Sequence, residues 1–156
     1  MKLIFKQKLF SWFDSYDIYD ENGNTVFTVE GKISWGHKFH ILDSNGEHVA
    51  TVKQVVLTFM PRFELYINGS LAGSLSKKLT FFKPEYELDF RGWSVHGNFM
   101  EWDYSITDSA ENTVAVISKE VFKLTDTYTI ETANDSDALC ALLVTLAIDA
   151  EKCSRN

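Results

Sequence analysis

Cysteine is nearly absent from this chain. Cys140 and Cys153 are the only two, with no CxxC pair and no evenly spaced set, so neither a zinc site nor a disulfide scaffold is encoded. Such usage fits a reducing, cytoplasmic setting. Positive charge is short as well: the formal net charge of −7 opposes nucleic acid and any general attraction to anionic lipid, leaving room only for a local basic patch. No apolar run reaches the roughly 20 residues that a transmembrane helix requires. In the opening "MKLIFKQKLFSWF", Lys6 and Lys8 interrupt what an export signal would keep apolar, and no small-residue cleavage site follows. A nucleophile elbow, a phosphate-cradling loop and a paired-carboxylate signature are all missing, so the reading is of a non-enzyme without a cofactor.

Aromatic residues, by contrast, are plentiful. Twelve Phe, six Tyr and four Trp make up 14% of a chain that is 45% hydrophobic, a composition suited to strands and opposed to disorder. At 156 residues the chain has the length of one domain and can bury a core without covalent staples. One frame recurs along it: an aromatic, any residue, then an aliphatic. The pairs are Tyr16 and Ile18, Phe39 and Ile41, Phe63 and Leu65, Tyr86 and Leu88, Tyr104 and Ile106, and Tyr128 and Ile130. Steps of 23, 24, 23, 18 and 24 residues separate the aromatics, so the unit beginning at Tyr86 is short.

Turn chemistry follows most frames: "DENGN" from Asp20, "DSNGE" from Asp43, "NGS" from Asn68 and "DSAEN" from Asp108. Asn-Gly supplies the positive φ of a tight hairpin at low steric cost. Longer β-rich runs come next, "TVFTVEGKI", "HVATVKQVVLTF", "SLAGSLSKKLTFF" and "TVAVISKEVFKL". Pro61 and Pro84 each precede a short strand, where a missing donor is tolerated. Six units predict twelve strands between about residues 3 and 132, with "LIFKQKLFSWF" as the first and "WSVHGNF" as the second strand of the short unit.

The most apolar stretch is "SDALCALLVTLAIDAEKC". From Ala138 to Ile148 it spans about 16 Å as a helix, half of a bilayer core of about 30 Å. Asp135 to Asp137 favour a helix start, and Lys152 and Arg155 suit its end. Leu139, Leu142, Leu143 and Leu146 form one face, but Val144 and Ile148 cover others, so the helix from about 136 to 152 needs burial on every side. A closed antiparallel barrel of twelve strands around this helix meets that demand and leaves no free sheet edge. Its six large aliphatics contribute at most about 9–18 kcal/mol at roughly 1.5–3 kcal/mol each.

Twelve strands followed by an apolar helix resemble the tubby C-terminal superfold. Within it, "KQKLFSWFDSYDIYDENGNTVFTVEGK", "KKLTFFKPEYEL", "ISKE" and "DALCALLVTLAIDA" are similar to the bacterial branch of the LURP-one-related family, over nearly the whole chain. The resemblance implies the barrel first. It further implies lipid chemistry by analogy, since tubby domains bind phosphoinositide headgroups through basic residues, the related phospholipid scramblases act at membranes, and plant relatives are associated with defence. No family site motif maps onto this chain residue by residue.

The densest basic stretch, "SKKLTFFKPE", places Lys77, Lys78 and Lys83 beside Phe81 and Phe82. It suits an anionic headgroup with aromatics at the lipid interface. The plainer expectation is a solvated strand end with phenylalanines in the core, because Lys6, Lys8, Lys32, Lys53 and Lys119 recur at similar places. An unknown protein is the alternative partner. "DENGN" fails as a calcium loop, with Thr25 where Gly belongs and Gly31 where Glu belongs. His37 and His40 fall on opposite faces of a strand and read as surface residues, not ligands. Cys140 reads as a packed thiol and Cys153 as an exposed one. Glu101, Asp103 and Asp108 around "FMEWDY" read as solvated acids.

Overall fold

The computed structural model describes residues 1–5, 15–121 and 126–154. Lys6, Lys8, Arg155 and most of the first predicted strand lie outside the described residues. The elements are β1 (Lys2–Phe5), β2 (Ser15–Tyr19), β3 (Thr25–Gly31), β4 (Lys38–Asp43), β5 (His48–Val55), β6 (Arg62–Ile67), β7 (Ser70–Lys77), β8 (Tyr86–Asp89), β9 (Ser94–Asn98), β10 (Asp103–Thr107), β11 (Thr113–Glu120), β12 (Thr127–Thr132) and α1 (Ala138–Cys153).

Each aromatic-x-aliphatic frame opens or lies within a strand, where residues two apart share a face. That face is the inside: both members are buried in β2, β4, β6, β10 and β12, while Leu88 in β8 is half-buried beside buried Tyr86. All pairing is antiparallel between consecutive strands, and β1 joins β12, with Leu3 opposite Ile130. The result is a meander rolled into a nearly closed barrel.

The barrel expected from the sequence is present, and its hydrogen-bond ladder is interrupted at one place. Among the described residues β8 pairs only with β7 and β9 only with β10. The short unit explains the seam, because β8 and β9 have four and five residues. The chain between them also serves the core instead of a tight hairpin: Phe90 and Trp93 are buried edge to face, ring centres 5.6 Å apart.

Connections of a meander alternate between two ends. At one end sit the short turns, and their geometry repeats. Asp20 Oδ1 accepts the N–H groups of Asn22 and Asn24, both at 2.9 Å, and Asn24 Nδ2 donates to Oδ2 at 3.1 Å. Asp108 receives Ala110 and Asn112 in the same way. Gly23 and Gly46, at φ 82 and 80, take the left-handed position that these turns require. Hydrogen bonds from Asn24 and Asn112 hold the Asp20 and Asp108 carboxyls below the usual range.

The helix α1 runs up the lumen and packs against β5, β6, β7, β11 and β12. Leu142, Leu143, Val144, Leu146 and Ile148 are buried, whereas Leu139, in the first turn, is half-buried at the barrel mouth. Thr145 Oγ1 donates to the Ala141 carbonyl at 2.9 Å, so the one hydroxyl in the apolar run is satisfied within the helix. Cys140 is buried and Cys153 half-buried. None of the helices among the described residues is long and apolar enough to cross a membrane.

The long strands end earlier than the sequence runs suggest. β3 stops at Gly31, β5 at Val55 and β7 at Lys77, so the apolar tails of those runs leave the sheet. They become loops at the end opposite the short turns.

Candidate functional site

Three neighbouring connections, 32–37, 56–61 and 78–85, stand side by side at this loop end. Their feet are fixed by backbone bonds: Lys32 N–H to Lys38 O at 2.9 Å, Lys77 N–H to Pro61 O at 2.9 Å and Lys78 N–H to Glu85 O at 2.8 Å. Their tips are apolar and stand in water. Trp35 is 88% exposed in the first, with Ile33 beside it. In the second Phe59 is 91% exposed and Leu57 fully so, at a left-handed φ of 63. The third carries Leu79, Phe81 and, 99% exposed, Phe82. This corrects the core placement expected for Phe81 and Phe82: with β7 ending at Lys77, two adjacent phenylalanines have no pleat to alternate on.

Charge is uneven across these loops. Across the three connections the only acid is Glu85, at the foot of the last, against Lys32, Lys78 and Lys83. The short-turn end instead displays Asp20, Glu21, Asp43, Glu47, Asp108 and Glu111. Glu101 and Asp103 thus lie near the loop end and Asp108 at the other, so the acids around "FMEWDY" do not converge.

The predicted lysines separate into two roles. Lys77 turns inward, where its Nζ lies 3.4 Å from Glu151 Oε1; its side chain is 17% exposed and that of Glu151 0%. The buried Tyr86 hydroxyl donates to Glu151 Oε2. This pair and hydroxyl tie the last turn of α1 to β7 and β8. Lys78 and Lys83 are exposed and make no ion pair among the described residues. Lys32 is engaged by Glu30 at 2.9 Å.

Sequence reasoning missed His37, which is buried below the first loop instead of lying on the surface. Its N–H donates to Gln54 Oε1 at 3.0 Å and its carbonyl accepts from Gln54 N–H at 2.7 Å. Gly36 permits that fold-back at φ 88, where a Cβ would meet Gln54 and Val56 at 3.0 Å. Burial pushes the His37 imidazole below its ordinary value. His40 is lowered too, by burial first and then by the positive charges of His48, Lys32 and Lys38. Two grooves open nearby, one of about 350 Å³ along the seam between Lys78 and Val95, the other of about 270 Å³ around Trp102, Lys119 and Lys152. Lys152 lies over the Trp102 ring at 4.6 Å.

The LURP-one-related family matches residues 1–149. The chain belongs to that family. No curated protein and no solved structure matches it. Family membership thus agrees with the barrel and its helix, and the loop end is this member's own surface to interpret.

Proposed function

We propose that this LURP-one-related chain is a non-enzymatic binding module that engages anionic lipid headgroups at a membrane surface, on the cytoplasmic side, through the loop end of its barrel. The observation that carries the reading is local: Lys78 and Lys83 project, with no ion pair among the described residues, from a set of three loops whose only acid is Glu85. Such a basic patch orients a molecule of net charge −7 toward an anionic surface that its total charge would repel. Each lysine near the surface contributes about 1 kcal/mol. Binding rather than catalysis is supported because α1 occupies the lumen, where a barrel enzyme would hold its pocket. Twelve antiparallel strands around one helix support a place for this bacterial-type member in the tubby C-terminal superfold, beside the phospholipid scramblases.

Co-sedimentation with phosphatidylserine vesicles tests this at low salt, where attraction is strongest. We expect binding that K78E/K83E abolishes at unchanged melting temperature; absence of binding by the unaltered protein rejects the reading. The seam favours a second reading, a protein partner that adds a strand against the free edges of β8 and β9. A peptide cross-link along Tyr86 to Leu88 would identify it.

A further inference from the structure

The apolar tips ask for more than a headgroup. Single exposed aliphatics are ordinary on a protein surface, but large apolar side chains on three adjacent hairpins are not. Leu57 is the clearest case, since the left-handed backbone at φ 63 favours Gly or Asn, and the side chain there gains no contact in water. The position incurs strain and apolar exposure together, and an apolar medium around the loop would remove the second of these costs.

We propose that the tips of 32–37, 56–61 and 78–85 insert between the acyl chains of an anionic bilayer while Lys78 and Lys83 stay at headgroup depth, so that the barrel stands on the membrane with its acidic turns facing away. The inference rests on the headgroup reading above and adds penetration and pose to it. Trp and Phe are the side chains that settle at the boundary of lipid and water. Trp35 and Phe59 with Phe82 occupy the three tips separately, each at 88% exposure or more, which suits a fluid solvent that closes around each one. The charge pattern of these three loops matches as well, because Lys78 and Lys83 flank the third tip and the one acid in the loops, Glu85, sits back at a loop foot.

The test uses the full chain with vesicles holding about one third phosphatidylserine, with or without bromine on the acyl chains. Insertion predicts that tryptophan emission shifts to the blue and is quenched by the brominated chains, and that Trp35→Phe removes the larger part of the quenching. It also predicts that F59S/F82S weakens co-sedimentation about tenfold or more, from the apolar area no longer buried. Both side chains project into water, so the variant melts as the parent does. Binding that K78E/K83E abolishes, with no acyl quenching and no loss in F59S/F82S, overturns insertion and leaves the headgroup reading intact. Failure to bind any anionic vesicle overturns both. Self-association of the unaltered protein that F59S/F82S abolishes, without quenching, assigns the tips to a protein interface and also overturns the proposal.

Discussion

The two ends of the barrel solve the same problem of chain reversal with opposite means. At one end Asp20 and Asp108 gather backbone N–H groups in connections of five residues and leave no large apolar side chain in water there. At the other, connections of six to eight residues lift Trp35, Phe59 and Phe82 off the fold. Reversal itself needs nothing of the second kind, as the first end proves within the same molecule. The apolar loops therefore answer to something other than folding.

The strongest way to break this comparison is to remove what joins the ends. α1 enters at the short turns and finishes under the loops, and truncation before Asp137 removes burial bounded at about 9–18 kcal/mol, against a domain's net stability of about 5–15 kcal/mol. We expect an unfolded or aggregated product; a soluble truncate that melts cooperatively would refute the helix-centred core. A smaller cut severs only the loop-end tie. Lys77→Met leaves the buried Glu151 with the Tyr86 hydroxyl but without its cation and is expected to cost about 3–5 kcal/mol in urea unfolding, with recovery in K77M/E151L. An unchanged midpoint in K77M would show that the pair is not what anchors the last helical turn.

The smallest effect separates the ends by pH. His37 and His40, near the loops, sit below their ordinary values when folded, so the unfolded chain takes up protons first and stability falls as pH drops below about 6.5. Asp20 and Asp108, at the turns, are also lowered, and their contribution, present above the unfolded value of about 3.9, is lost as pH falls through the folded one. Thermal melts from neutral to acid should show two declines, the first missing in H37N/H40N and the second in D20N/D108N. A single decline untouched by either variant contradicts the assignment.

Most of the barrel was legible because its signals are local. A frame repeating every 23 or 24 residues fixes which side chains face inward, and Asn-Gly fixes where the chain turns. The helix was legible from a run too short for a bilayer and too apolar for a surface. The seam was readable only as the shortened step from Tyr86 to Tyr104, since pairing across it depends on residues that close the core. The site was harder still. Phe81, Phe82 and Leu57 have the same composition as strand residues, and only the ends of the ladders at Lys77 and Val55 expel them. Lys77 and Lys78 are neighbours in sequence with opposite fates, because alternation sends one toward Glu151, far along the chain, and the other to water.

The pairing of β1 with β12 also sets a schedule for synthesis. β1 leaves the ribosome before its partner, which follows roughly 120 residues later, about ten seconds at 5–20 residues per second, and α1 comes after that. Until then the sheet is an open trough with its aromatic face uncovered. Apolar surface left open in this way invites aggregation during synthesis, and the arrival of α1 is what covers it.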